Sequence, residues 1–489
     1  MPAEPTYAFG PFRFDPRRRR LTRGAEPIPL PDRHVDILRL LVAQAGQIVT
    51  KDALIEVAWK EVAVTDNSLE QAMSSLRRRL GSSPDGAPYI ETLPRRGYRF
   101  RADVSATVAR QSDDALADLL LPYRVFLEGR AAIETLGRDA VLRARAAFAD
   151  VVAASPDYAP GHVGLANAHA LAFEATRADE TPDVAALQAA LQHAREACRL
   201  DAASGEAWAT LAFVLSRTGQ PEAAAAGRRA TALEPDNWRH HVRLAYAAWG
   251  EPRLRAAREA TKLLPGLALA HWLAATVLVA RQALEEAARE LIVGAAAQDR
   301  QQDGGRFGSV GLHLLLGLVS IARGEDEAAG EALARELTFE SAGHVYARQV
   351  SAHTWSAMGA LRLRQARTAE AIRAFDQALE RVPAHAPTLA ALSVIAEPGR
   401  RRALRARLDA RLAALEAFGA GVDAAMARSV GDMLSDRHAE AAGRVLAALQ
   451  SAPPGSSAGW TLPVEPLLQV TAHADAWAAV LAALRDRAA

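Results

Sequence analysis

The chain has 489 residues, with 58 Lys+Arg against 57 Asp+Glu; half are apolar and 6% are aromatic. A net charge of +1 excludes a polycationic chain, and the apolar half, rich in Ala and Leu, excludes disorder and argues for helices over an all-β sandwich. Only three lysines occur, so Arg abundance alone is no mark of nucleic-acid binding. The single Cys198 leaves no intrachain disulfide and no multi-cysteine zinc site, and fits a reducing compartment. Residues 1–10 do not read as a secretory signal, and the apolar runs at 267–280 and 312–322 fall short of the roughly 20 residues a bilayer span needs. A soluble, cytoplasmic chain with no membrane partner is expected.

Charge divides the sequence. Residues 1–104 hold 17 Lys/Arg against 13 Asp/Glu, and the remainder 41 against 44, the asymmetry expected when one domain meets a polyanion. The basic head opens with Tyr7, Phe9, Phe12, Phe14, Leu21, Ile28 and Leu30 in short alternating segments, punctuated by Gly10-Pro11, Asp15-Pro16 and Gly24. A helical period follows through Val35, Leu38, Leu41 and Val42, with Asp32 as its expected N-cap and Gly46 in a left-handed position after it. A second short helix carries Leu54, Val57, Ala58 and Trp59, with Trp59 expected in the core. A third spans about 66–80. Beyond Gly81, Tyr89 to Leu93 and Gly97 to Phe100 read as two strands joined at Pro94-Arg95-Arg96. Four short strands, three helices and a terminal hairpin make an α+β winged helix-turn-helix, assigned to residues 1–104.

The stretches Gly46-Gln47-Ile48-Val49-Thr50-Lys51-Asp52-Ala53-Leu54, Asp66-Asn67-Ser68-Leu69, Leu76-Arg77-Arg78-Arg79-Leu80-Gly81 and Ile90-Glu91-Thr92-Leu93-Pro94-Arg95-Arg96-Gly97-Tyr98-Arg99-Phe100 resemble the OmpR/PhoB-type DNA-binding domain. The resemblance runs over about residues 6–102 and is nearest to the one-component variant, with this domain first in the chain. It implies a transcriptional regulator whose partner is double-stranded DNA. It further implies a wing tip, here Arg95 and Arg96, entering a minor groove, with Tyr98 bracing the wing or touching the DNA backbone. Contact of residues 60–65 with RNA polymerase is also implied, and a homo-oligomer on repeated half-sites is expected of such a regulator. A preceding phospho-acceptor domain is not expected.

Helical phase divides the third helix. At about 100° per residue Leu69, Met73, Leu76 and Leu80 share one arc and face the core. Asn67, Gln71, Ser74, Ser75 and Arg78 share the opposite arc, with Ser68 beside it, and would face the major groove. Gln71 suits an adenine edge and Arg78 a guanine edge. Arg77 and Arg79 flank the arc and are expected at phosphates. The bland alternative is an ordinary solvated helix face. Arg17 to Arg20 read as exposed charge in a turn.

Residues 105–118 read as a linker, and 119–489 as an all-α, tetratricopeptide-like solenoid with a period of about 33 to 34 residues. The clearest copy, 352–385, carries Trp355, Met358-Gly359, Ala371, Phe375, Ala378 and Pro383, and another carries Trp208, Leu211-Ala212, Ala230 and Pro235. On the order of eight to ten hairpins are expected. From the repeat frame Phe213, Arg217, Arg239, Tyr246, Trp249 and Trp272 would line a concave groove able to hold a protein, peptide or small ligand, against the alternative of ordinary inter-helix packing. Residues 299–311 read as a polar, Gly-rich insertion.

Catalytic chemistry is not apparent. No lysine follows the glycine a phosphate-binding loop requires, and Gly455-Ser456-Ser457-Ala458-Gly459 fits a nucleophile-elbow pattern without the strand that would strain the serine. Adjacent His240 and His241 point in different directions, and no metal site or cofactor is expected. Two readings stay open: a transcriptional regulator sensing or self-associating through its repeats, or an interaction scaffold whose winged helix is no sequence-specific reader.

Overall fold

Alternation of apolar and polar residues puts every second side chain of the first strands on one face, and that face becomes the core of the head. The computed structural model describes residues 5–24, 26–59, 66–83, 86–107, 113–301 and 308–489. Strands β1 (Thr6–Phe9), β2 (Phe12–Asp15), β3 (Arg20–Arg23) and β4 (Glu26–Ile28) form an antiparallel meander with Tyr7, Phe9, Phe12, Phe14 and Leu21 buried. Helix α1 (Asp32–Ala43), the short strand β5 (Ile48–Val49), helices α2 (Lys51–Trp59) and α3 (Asp66–Leu80), and the hairpin β6 (Ile90–Leu93) and β7 (Gly97–Phe100) follow. The second sheet runs β5-β7-β6, with Val49 opposite Tyr98. Trp59 is buried, as expected, with the Arg33 guanidinium 5.6 Å from its ring centre.

The segment read as a linker is partly structured. Strand β8 (Ser105–Thr107) pairs with β1, Thr6 opposite Thr107, and extends the first sheet. Helix α4 (Asp113–Glu134) begins before residue 118. The expected charged turn also differs: Arg19 is not free in solvent but forks onto Asp32 at 2.7 Å and Asp36 at 3.1 Å, pinning the turn to α1.

The rest is helical hairpins. After α4 come α5 (Arg138–Ala154), α6 (Ala159–Thr176), α7 (Val184–Leu200), α8 (Gly205–Arg217), α9 (Ala223–Leu233), α10 (Trp238–Ala247) and α11 (Glu251–Leu263). Then follow α12 (Ala268–Ala280), α13 (Leu284–Arg300), α14 (Leu312–Arg323), α15 (Asp326–Leu337), α16 (Ala347–Arg364) and α17 (Thr368–Arg381). The last are α18 (Ala386–Ile395), α19 (Pro398–Ala417), α20 (Gly421–Met433), α21 (His438–Ser451) and α22 (Ala474–Ala488). Nine consecutive pairs, α4/α5 to α20/α21, pack as hairpins among the described residues, within the expected range. Missing side chains let neighbouring helices close up: within a pair, a Cβ on Gly359 would lie 2.5 Å from Phe375, and between pairs, one on Gly164 would lie 2.3 Å from Phe148. The middle of the 299–311 insertion, residues 302–307, lies outside the described residues.

The array also makes contacts between distant repeats. Val345 N donates to Leu136 O at 2.8 Å and Arg138 N to Gly343 O at 3.0 Å, so the seventh hairpin meets the first. The stretch before α22 packs across α12 and α14, placing Val464 in their core and Trp460 edge-on to Trp272 at 5.6 Å. Gln282 Nε2 then donates to Leu481 O and Arg281 Nε to Ala488 O, both at 2.8 Å.

Candidate nucleic-acid interface

Helix α3 occupies the expected residues because its apolar stripe is regular: Leu69, Met73, Leu76 and Leu80 are all buried. The opposite side emerges accordingly, with Gln71, Ser74 and Arg78 exposed and Ser68 and Ser75 half-buried. Asn67 lies on the helix, but its side chain falls outside the described residues, as do residues 60–65 assigned to RNA polymerase. Arg78 bonds to none of the described residues.

Its two neighbours behave differently. Arg77 Nε donates to Ile90 O at 2.8 Å, its Nη2 reaches the Thr92 hydroxyl, and its guanidinium lies 5.8 Å from the Tyr98 ring centre. Arg79 turns toward the first sheet and donates to Pro29 O, while Arg23 donates to Arg79 O at 3.2 Å. Both arginines, the ones expected at phosphates, hold α3 to the segments around it in this structure. A guanidinium ends several bonds from its Cα, so the phase of the helix does not fix where its charge lies.

The wing turn is built by its sequence. Arg96 N donates to Leu93 O at 3.0 Å, with Pro94 at the second turn position and Arg95 at the third, where φ is +64°. Proline first and positive φ next define a type II turn. Glycine is the usual third residue, and a side chain there costs roughly 1–2 kcal/mol. Arg95 and Arg96 are left exposed at the tip. Gly97 follows at φ +127°, where a Cβ would meet Val49 O at 2.1 Å. Tyr98 is 3% exposed and belongs to the core of the head.

Gln71 has a partner that local spacing does not reveal. With its amide nitrogen facing the array, it donates to both carboxylate oxygens of Asp236, at 2.9 Å to Oδ1. Asp236 lies in the loop between α9 and α10, and a contact so distant along the chain leaves no periodic trace.

The six expected groove residues do not form one surface. Phe213 and Tyr246 meet edge to face at 5.4 Å, with Arg217 4.8 Å from each ring centre and bridged to Glu174 at 3.2 Å. Phe213 itself is buried. Arg239 reaches Glu134 at 3.1 Å and stacks on Trp238. Trp249 is buried beneath Arg253, and Trp272 meets Trp460. Packing within the array thus takes up Phe213 and Trp249 through the same or the next hairpin, and much of Trp272 through the distant Trp460. Arg253 is itself buried; desolvation brings its guanidinium down to about 9, and the carbonyls of Ala245 and Ala248 accept its hydrogen bonds.

Elsewhere, His240 lies 3.2 Å from Glu234, and the His241 ring meets Pro235 O at 2.7 Å. Among the described residues no group of three or more His, Cys, Asp or Glu is arranged to hold a metal ion. Nor is any helix there long and apolar enough to cross a membrane.

A three-helix core, a second helix leading into an exposed third, and a basic two-stranded wing define the winged helix-turn-helix class. Residues 25–100 match the family described as transcriptional regulatory protein, C terminal, so the head is an OmpR/PhoB-type domain. Over 102 residues the chain is 29% identical to the transcriptional activator CadC of Escherichia coli, covering 21% of this chain and 20% of that protein. Over 112 residues it is 34% identical to the cholera toxin transcriptional activator of Vibrio cholerae, covering 21% and 38%. The solved DNA-binding domain of E. coli CadC aligns at 28% identity over 22% of this chain and 99% of its own, with a TM-score of 0.20. The match spans a fifth to about two-fifths of the length of these two relatives.

Proposed function

We propose that this chain is a cytoplasmic transcriptional regulator, with no catalytic role, that reads promoter DNA with α3 and the wing. The observation that carries the reading is the division of labour among the arginines of the head. Arg77 and Arg79 are spent on the frame, whereas Arg78, Arg95 and Arg96 are held out as exposed cations on the reading helix and wing tip. In this reading Arg78 and Gln71 contact base edges, Ser74 and its neighbours line the groove, and the wing arginines grip phosphates or the minor groove. The helical array receives the signal, through a protein, peptide or small ligand, and joins copies on repeated half-sites.

Gel shifts with genomic fragments across a salt series test the head. Sequence preference that persists at physiological salt is expected, with binding weakening steadily as salt rises. Binding without preference would leave the scaffold alternative standing. Mass measurement of the protein–duplex complex counts the copies bound. Alanine replacement across residues 60–65 that lowers transcription without lowering DNA affinity would support polymerase contact there.

A further inference from the structure

The seam between head and array is built from side chains on both sides. From the head come Asp32 and Arg33 at the start of α1, and Gln71 on α3. From the array come Arg130 on α4, Glu206 in the first turn of α8, and Glu234 and Asp236 between α9 and α10. Glu206 and Asp32 share a hydrogen bond across the seam. Burial raises the Glu206 carboxyl, while Arg19 and Arg130 outweigh burial at Asp32 and hold it below the ordinary carboxylate range. Arg19 lies 2.7 Å from Asp32 Oδ1, and Arg130 3.8 Å from Glu206 Oε1. Arg33 interacts electrostatically with the carboxylates of Glu234 and Asp236, against the repulsion of Arg130. Acidic groups of the array therefore meet a basic residue of the head, and the contact ends on Gln71.

Gln71 belongs to the polar side of α3, where a base edge would have to sit. A major groove about 12 Å wide closes around a helix inserted in it. A carboxylate within hydrogen-bonding distance of Gln71 fills the space a base edge needs, and it carries the same sign as the phosphates that would approach. Array and duplex cannot hold that residue together. We propose that the helical array is an intramolecular competitor of DNA: docking through Asp236 and its acidic neighbours holds the head in a silent state, and promoter binding requires the head to leave the array. The inference rests on the proposed DNA-reading role of α3.

Competition has a thermodynamic signature. If only the released fraction binds, apparent affinity falls by that fraction, and weakening the dock restores it. By linkage, DNA must loosen the dock by the same factor that the dock weakens DNA binding. The test uses the full chain, with Asp236→Ala and Arg33→Ala as separate variants, since neither residue is assigned to DNA. Fluorescence anisotropy with the best-bound genomic duplex reads affinity, and hydrogen exchange reads residues 234–240 of the array, which DNA does not touch in this proposal.

Both variants should tighten duplex binding by about fivefold or more, and both should speed exchange at 234–240. Saturating duplex should speed the same exchange in the parent chain. Exchange that rises in the variants while affinity stays constant would overturn the competition, leaving the dock as mere packing. Exchange in the parent that ignores bound duplex would overturn it as well. If no form binds any duplex while exchange still responds to the variants, the DNA-reading role is what has failed, and the competition falls with it.

Discussion

Arg77 on α3 and Ile90 on β6 are joined by a 2.8 Å hydrogen bond from guanidinium Nε to main-chain carbonyl. One residue further along, Arg78 is exposed and bonds to none of the described residues. Two adjacent arginines in one helix thus have opposite assignments, and substitution separates them. Arg77→Ala should lower the stability of the head by about 1–3 kcal/mol, because the Ile90 carbonyl loses its charged donor. Arg78→Ala should leave melting unchanged and relax discrimination at one base pair by about 1–3 kcal/mol. Thermal melting and a panel of single-base-pair duplex variants check the pair; equal effects of both substitutions on melting would contradict it.

Close packing within hairpins makes a second prediction. A Cβ on Gly359 would come 2.5 Å from the Phe375 ring, whereas one on Gly330, in α15, would meet nothing within 4 Å. Gly359→Ala should destabilise the array by about 1–3 kcal/mol through overpacking. Gly330→Ala should stabilise it by about 0.5–1 kcal/mol through helix propensity. Circular-dichroism melts of the full chain should show shifts of opposite sign.

Burial pushes the Glu465 carboxyl up to about 7, against a hydrogen bond from the Leu467 amide. A carboxyl that binds its proton more tightly when folded stabilises the fold fully below its ordinary value of 4.5. That contribution declines as pH rises and is gone above about 7. Glu465→Gln keeps the shape and removes the ionisation. Its melting temperature should exceed that of the parent at pH 8 and lose the advantage at pH 5. An identical difference at both pH values would refute the assignment.

The thiol of Cys198 is buried among helices α6, α7 and α8, and burial pushes it up to about 12. Since the thiolate is the reactive form, native protein at pH 7.5 should release no colour from a thiol-exchange reagent within minutes. One equivalent should react after denaturation. Rapid reaction of the native chain would show that this core opens.

Local pattern made much of the head legible. The bounds of α3, its buried stripe and the exposed arginines of the wing follow from spacing and turn residues within a few positions of each other. The meander β1 to β4 was readable for the same reason. What could not be read depends on distant partners. β8 exists because β1 offers it an edge, Arg79 is turned by Pro29, and Gln71 meets a loop of the array. In the solenoid the repeat frame located hairpins, but it assumed an open concave side. Trp272 is met there by Trp460, whose approach depends on how the whole array curves. Helical phase indicates the direction in which a side chain leaves its axis and nothing about what comes back to meet it.

The bonds linking Val345 to Leu136 and Leu481 to Gln282 give the array a property that a simple stack of hairpins lacks. A stack held only by nearest neighbours frays from its ends, each unit leaving at its own cost. Cross-links between remote turns join the fates of those units, so that loosening the last helix would be felt at α12 and loosening the first at α16. In such a clasped spring, turns far apart in the chain are held by one another directly and not only through the neighbours between them.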